Sequence, residues 1–166
     1  TLTLDGELDS VQWFGRGPHE NYSDRKTGAA VGHYVSTVSE LYTPYIRPQE
    51  NGNRTDVRWV ALSGDHRLGM LAVADSVMEF SALNFTDQDF DEGRQPVHRH
   101  VFDLEPRDQV ILDLDLVQMG VGGDTSWGAR PHPEYRVLPR DYSYRVRLVP
   151  FRATEGPPWK IAEMKW

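Results

Sequence analysis

The sequence contains no cysteine. Disulfide bonds and thiolate chemistry are therefore excluded, and none of the usual Cys/His spacings of structural zinc sites can occur. A metal would have to be bound by the six histidines and the carboxylates. With 166 residues the chain is long enough for one domain that buries a hydrophobic core without a metal or a disulfide.

Long hydrophobic runs and an excess of positive charge are also missing. The longest wholly apolar stretch, Met70–Ala74, is far shorter than the roughly 20 residues that cross a bilayer. Lysine and arginine number 18 against 25 acidic residues, a formal net charge of −7, so we expect neither a nucleic-acid nor a membrane partner. The first residue is threonine and no signal peptide is visible, so we expect a chain cut from a longer polypeptide.

Alternation of apolar and polar residues with a period of two recurs along the whole chain and predicts an all-β fold. In 142–149, for example, Tyr142, Tyr144, Val146 and Leu148 share one face of a predicted half-buried strand. About eight strands separated by turn signals favour an antiparallel β-sandwich. The predicted strands are 10–14, 32–37, 54–62, 68–74, 77–83, 97–102, 109–119 and 142–149.

Two long connections interrupt this pattern, Gly15–Ala30 and Gly120–Pro139. Long loops in a compact domain are often functional, so we expect functional residues in these two segments. Charges of both signs in 15–25 favour a loop fixed by internal ion pairs and by hydrogen bonds from side chains to the backbone. The segment Pro150–Trp166 contains two consecutive prolines and is predicted to be an irregular tail of a single domain spanning 1–166.

Pairs of titratable residues offer two candidate sites that we interpret as structural. Asp113 and Asp115 share a strand face with Cα atoms roughly 6.6 Å apart, but a polar strand face does not raise a carboxyl pKa as a catalytic acid requires. His98 and His100 also share a strand face, and no third metal ligand lies nearby in the sequence. We therefore predict no catalytic residue and no metal ligand in this chain.

Trp127 lies in the run GGDTSWG (122–128), where glycines on both sides allow the indole to project from a loop. A flat aromatic ring can stack on the apolar face of a pyranose. The same residue could instead be a buried anchor of the loop, and the local sequence leaves both interpretations open.

Four runs of residues, in this order and spacing, resemble the C-terminal domain of the β-galactosidases of glycoside hydrolase family 2. The resemblance extends from about Ser10 to Val149. The runs are VQWFGRGPHENYSDR (11–25), SELYTPYIRPQENGNRTDVRWVAL (39–62), HRH (98–100) and QMGVGGDTSWG (118–128).

The resemblance implies a cytoplasmic, multidomain, homo-oligomeric enzyme that acts on galactosides. Its catalytic glutamates and its magnesium site belong to a (β/α)8 barrel outside this chain, so no cofactor is expected within it. The chain itself would be the later portion of a sandwich resembling galactose mutarotases, and Trp127 would line the sugar-binding pocket. Mutarotase chemistry is not implied, because His19 and Glu20 are adjacent in sequence and nothing indicates that they converge on a sugar.

We therefore expect an inactive part of a β-galactosidase that contributes substrate-pocket and assembly contacts through its association with the remaining domains. Two alternatives stay open at this point. The chain could be a non-catalytic carbohydrate-binding module, or a structural domain for oligomerisation.

Overall fold

The computed structural model describes residues 1–65, 68–91, 100–122 and 128–164. Its regular elements are short helices and a set of longer strands. The strands are β1 (Leu2–Asp5), β2 (Ser10–Gly17), β3 (Ala30–Thr37), β4 (Arg54–Ser63), β5 (Leu68–Leu83), β6 (Gln109–Asp115) and β7 (Val146–Arg152). The α-helices are α1 (Val38–Leu41), α2 (Asp87–Phe90) and α3 (Pro158–Ala162), and 3-10 turns occupy Val101–Asp103, Pro133–Tyr135 and Ala153–Glu155.

All seven strands form one antiparallel sheet, in which six follow the order β1-β6-β5-β4-β2-β3 and β7 pairs with β5 beside this path. Strand β5 is long enough to pair along one edge with two partners, β7 at Leu68–Ala74 and β6 at Glu79–Leu83. Its other edge pairs with β4. The predicted all-β antiparallel fold is confirmed.

Apolar side chains are buried on both faces of this sheet, which gives the domain its sandwich-like character. On one face Trp13 stacks on Tyr34, with ring centroids 5.2 Å apart, and meets the edge of Phe80. Thirteen buried residues form this main core: Val11, Trp13, Val38, Leu41, Val57, Val60, Leu62, Ala72, Met78, Phe80, Ala82, Val110 and Leu112. A smaller cluster on the other face contains Trp59, Ala61, Leu71, Phe151 and Ile161.

Five predicted strands differ clearly from the observed ones, and one of them, predicted at 109–119, ends at Asp115. The segments 68–74 and 77–83 form the single strand β5, in which Asp75 and Ser76 are exposed but remain in the strand. The strand predicted at 142–149 begins only at Val146, where its pairing with Ala74 of β5 starts, and Tyr142 and Tyr144 are exposed. Within the strand predicted at 97–102, residues 97–99 lie outside the described residues, and Val101–Asp103 is a 3-10 turn.

The C-terminal segment predicted as an irregular tail, 150–166, is more regular than expected. Pro150–Arg152 completes β7, and Pro158–Ala162 forms α3. Phe151 and Ile161 are buried in the smaller apolar cluster, and their burial explains why this segment folds onto the sheet. Across the described part of the chain, no helix has the length and apolar character needed to cross a membrane.

Replacing Phe80 by alanine is expected to lower the free energy of unfolding by about 3–5 kcal/mol, because the ring is fully buried against Trp13. Chemical denaturation monitored by fluorescence measures the loss. Val77→Ala, at an exposed position of the same strand, is the matched control and should cost about 1 kcal/mol or less. Equal losses in the two variants would contradict the placement of the core.

Candidate functional site

The candidate site is built around the glycine-rich segment that follows β6. Residues 118–122, which we call the loop base, are described by the structure, whereas Trp127 lies outside the described residues. Two hydrogen bonds tie the loop base to a single carboxylate, since Asp24 accepts from the backbone N–H of Val121 at 3.2 Å and of Gly122 at 2.9 Å. Asp24 therefore joins two parts of the chain that are nearly 100 residues apart.

Gly120 explains how Asp24 can approach so closely. A Cβ atom at this buried position would overlap the Asp24 carboxylate, so only glycine fits. The Gly120 N–H donates to the carbonyl of Tyr135 at 2.8 Å, which attaches the loop base to the 3-10 turn Pro133–Tyr135. The loop base is thus held from two sides, by Asp24 and by Tyr135.

Asp24 is presented by a tight turn in the connection between β2 and β3. The backbones of Tyr22 and Arg25 exchange two hydrogen bonds, at 2.8 and 3.3 Å, and the ring of Tyr22 is buried beneath the turn. These contacts restrict the backbone on both sides of Asp24, so its carboxylate has a defined position before it meets the loop.

The turn is anchored to the start of β4 by two fully buried asparagines. The Asn21 side-chain oxygen accepts from the Thr55 N–H at 2.9 Å and from the Thr55 hydroxyl at 2.6 Å. Asn21 N–H donates to the Asn53 carbonyl at 2.8 Å, and the Asn53 amide donates back to the Asn21 carbonyl at 3.1 Å. We call this set of bonds the asparagine junction.

Glu20, beside the junction, is a buried carboxylate that is fully engaged. It accepts hydrogen bonds from the Tyr45 hydroxyl, from Arg25 at 2.9 Å and from the Gly52 N–H at 2.8 Å. Burial alone would raise its pKa, but these donors together with Thr43 hold the pKa of Glu20 below its ordinary value. Glu20 is therefore ionised at neutral pH and is not suited to donate a proton.

His19 and Glu20 line the same surface cavity of about 400 Å³, together with Arg54 and Trp13. The Arg54 guanidinium is buried and donates to the carbonyls of Pro18 and Gly52 at 3.0 and 2.6 Å. His19 and Glu20, the kind of pair that a mutarotase-like reaction would need, are thus close in space. The Glu20 carboxylate, however, already accepts structural hydrogen bonds. The predicted fixation of 15–25 is confirmed by the internal Arg25–Glu20 ion pair and by the Asn21 amide, which donates to the His19 carbonyl at 3.0 Å.

Glu79 on β5 connects the asparagine junction to the loop base. It accepts from the Asn53 amide at 2.7 Å and from the backbone N–H of Gln118, the first residue of the loop base. Burial, together with the charge of Asp115, raises the pKa of Glu79 to about 7, because the two hydrogen bonds offset only part of the desolvation. This carboxyl is buried and occupied, so it is a structural link.

Asp113 and Asp115 share the face of β6 as predicted, but they are half-buried instead of fully solvated. They line an acidic cavity of about 180 Å³ together with Glu50 and Asp87. Partial desolvation and these three aspartates raise the pKa of Glu50 to about 7. Among the described residues, no group of three or more His, Asp or Glu side chains is arranged to hold a metal ion.

The two histidines of the HRH run stand differently. His98 lies outside the described residues, so the shared strand face is not tested there. His100 is exposed and stacks on Phe102, with ring centroids 5.3 Å apart.

Sequence reasoning did not identify Asp24, Glu79 or Tyr135 as parts of the site. The signals that could have indicated this contact are Gly120 and the acidic residue Asp24 near the end of the motif 11–25.

Comparison with known proteins adds a family match. Residues 1–148 match the family described as beta galactosidase small chain. The chain is 41% identical over 150 residues to a beta-galactosidase of Priestia megaterium, which covers 90% of this chain and 14% of that relative. It is 41% identical over 148 residues to a beta-galactosidase of Vibrio cholerae, covering 89% and 13% respectively. A beta-galactosidase of Streptococcus thermophilus is 32% identical over 149 residues, with 89% and 14% covered.

Replacing Asp24 by alanine should release the loop base without unfolding the domain. We expect the amides of Val121 and Gly122 to exchange with deuterium about tenfold faster, because each loses its charged acceptor. NMR-detected hydrogen exchange on the 166-residue chain measures the change. Asp141→Ala, at an exposed position, is the control and should leave both rates unchanged; equal rates in the Asp24 variant would show that the two bonds do not hold the loop.

Glu79→Gln should alter how stability depends on pH. A folded-state pKa near 7, above the ordinary value of 4.5, means that folded Glu79 binds its proton more tightly than unfolded Glu79 does. Its contribution to stability is therefore full below about pH 4.5 and is lost as the pH rises through 7. The glutamine variant lacks this loss, so its stability relative to the parent should increase from pH 5 to pH 8.

Urea denaturation of both proteins at the two pH values measures this difference. Glu134→Gln, at an exposed position, is the matched control and should show no such trend. A stability difference between the Glu79 variant and the parent that is the same at both pH values would contradict the raised pKa.

Proposed function

The chain belongs to the β-galactosidase small-chain family, and from this premise we propose that it is the C-terminal part of an enzyme that hydrolyses terminal β-D-galactosides of the lactose type. The family match over residues 1–148 carries the proposal, supported by 41% identity to two beta-galactosidases. The chain spans only 13 to 14% of the length of these relatives. We therefore propose that it acts together with the remaining domains of a longer polypeptide.

We propose that the acid/base and nucleophile glutamates of this retaining hydrolase lie in those remaining domains. Two glutamates of the present chain support this division. Glu20 accepts three hydrogen bonds and has a lowered pKa, and Glu79 is buried between Asn53 and Gln118. A glycosidase needs a pair of carboxyl groups that reach opposite sides of the scissile bond, and both of these carboxyls are already bound within the protein.

The same proposal includes properties that the family resemblance implies for the complete enzyme. The magnesium site that the resemblance implies is proposed to lie in the remaining domains. The complete enzyme would be a cytoplasmic homo-oligomer, and this chain would be the later portion of a sandwich of the galactose mutarotase type.

Trp127 is proposed to line the galactoside pocket with its indole ring, which would stack on the apolar face of the sugar. The described geometry supports this role in one respect. The loop base that precedes Trp127 is fastened by Asp24 and Tyr135, and such fastening limits the entropy that the loop would lose when substrate binds.

Assembly contacts are proposed on the loop base itself. Its apolar residues Met119 and Val121 are 53 and 51% exposed. Exposed apolar residues close together in the chain are typical of a contact surface. We propose that the remaining domains cover these two residues and thereby bring Trp127 to the catalytic glutamates.

In the complete enzyme, Trp127→Ala is expected to raise the KM for a nitrophenyl galactoside by about tenfold and to change kcat little, because the ring contributes uniform binding of the sugar. Steady-state kinetics measures both constants. Trp159→Ala, in α3, is the matched control and should leave both unchanged.

Several results would contradict the proposal. An unchanged KM in the Trp127 variant would remove this residue from the pocket. Hydrolysis of the galactoside by the purified 166-residue chain alone would show that catalytic residues are present in it. Galactose binding by the isolated chain with a Kd below about 1 mM would favour an independent carbohydrate-binding module, since one stacked ring gives only weak affinity.

A further inference from the structure

Among the described strands, three have a pairing partner along one side only, namely β1, β3 and β7. The free side of such an edge strand carries backbone N–H and C=O groups that can pair with a further strand. Proteins limit this pairing by keeping an edge strand short, or by placing charged residues or proline in it. The three edges of this sheet differ in these protections.

Two of the three edges are protected. β1 has only four residues. β7 contains Pro150, which lacks an N–H group, and the charged side chains of Arg147 and Arg152. Neither of these edges presents a long, uncharged row of backbone groups.

β3 has none of these protections. All eight of its residues pair with β2 in one continuous register, so the strand is long and regular. Its sequence, AVGHYVST (30–37), contains no Lys, Arg, Asp, Glu or Pro, and Val31 and Val35 are 44 and 68% exposed. An edge of this kind readily accepts another strand.

Two hydrogen bonds at the end of β3 show which of its backbone groups point away from β2. The Val38 N–H donates to the Asp9 carbonyl at 2.9 Å and so continues the ladder with β2, whereas the Thr37 N–H donates to the Glu40 carboxylate at 3.2 Å. The direction of the N–H and C=O groups alternates along an antiparallel strand, so every second residue before Thr37 also directs these groups away from β2. The free edge of β3 is therefore formed by Val31, His33 and Val35.

We propose that an extended segment of the remaining polypeptide adds to the sheet beside β3 and pairs with the backbone groups of Val31, His33 and Val35. This contact rests on the proposed function, because the chain spans only 13 to 14% of the related beta-galactosidases and the partner strand belongs to the rest. A segment of the same molecule meets the edge at a higher effective concentration than a second copy does, so it is the favoured occupant. The edge is a different contact from the one proposed at the loop base.

Hydrogen exchange tests the contact by comparing the 166-residue chain with the complete enzyme. In the isolated chain, the amides of Val31, His33 and Val35 should exchange rapidly, whereas those of Tyr34 and Ser36, which face β2, should be protected. In the complete enzyme, the three outward amides should exchange at least about a hundredfold more slowly. Mass spectrometry with fragmentation to single residues measures these rates. The amides of β7 are the matched control and should exchange equally in both proteins.

Two substitutions at one position separate strand pairing from simple coverage of the edge. Val35→Pro removes the outward N–H and keeps the bonds to β2, while Val35→Ala shortens the same side chain and keeps the N–H. In the complete enzyme, the proline variant should exchange the amides of Val31 and His33 at least about tenfold faster than the alanine variant does. Far-UV circular dichroism of the isolated variants verifies folding, and if the proline variant unfolds, the exchange of the two unsubstituted proteins decides.

Unchanged exchange of the outward amides in the complete enzyme, an equal gain of protection in β7, or equal rates in the two folded variants would overturn the proposal. Protection that appears in the isolated chain and increases with its concentration would assign the edge to a second copy and would overturn it as well. A galactoside assay of the same complete enzyme keeps the two proposals apart, because strand pairing does not require substrate. An active enzyme with unprotected β3 amides would refute only the strand contact, and an inactive enzyme with protected amides would refute only the proposed hydrolysis.

Discussion

The asparagine junction is the constraint on which the arrangement of the site depends. Asn21 and Asn53 are fully buried, and a buried amide without a partner would cost roughly 1–3 kcal/mol, so the connection after β2 has little freedom to shift along β4. Glu20 lies on one side of Asn21 and reaches Gly52 and Tyr45, while Asp24 lies three residues beyond it and reaches the loop base. The asparagine junction therefore positions both carboxylates.

The number of donors around each buried carboxyl decides its protonation. Glu20 has donors from Tyr45, Gly52, Arg25 and Thr43, and their combined effect exceeds the cost of burial. Glu79 has donors from Asn53 and Gln118 only, and Asp115 lies nearby, so its pKa rises to about 7. Both groups stabilise the fold, but only the bonds made by Glu79 depend on pH near neutrality. The loop base is consequently the part of the site whose anchoring responds to a mild change in pH.

Local alternation predicted most of the sheet, and its errors have a common physical origin. The polar pair Asp75 and Ser76 suggested a break, yet the strand continues through them because β4 pairs with it on both sides of the pair. Residues 142–145 alternate as a strand should, yet they are exposed and lie outside β7, although β5 continues past Ala74 to Leu83. Alternation indicates which side chains could be buried on one face, but it does not indicate where two strands pair. The capping box of Thr37 and Glu40, by contrast, is a local signal that sequence reasoning overlooked.

In the candidate site, too, the sequence indicated the local features but not the contacts between distant segments. The sequence indicated that two long connections are functional, but it did not indicate that they touch. Nothing in Gly120–Gly122 identifies Asp24, 97 or 98 residues earlier, as their hydrogen-bond acceptor. The structure brings the two connections together through Asp24, whose carboxylate fits only because position 120 has no side chain. A side chain at position 120 would therefore displace the Asp24 carboxylate from the two N–H groups that donate to it. Packing and hydrogen bonding alone account for both residues, so the case for sugar binding depends on Trp127.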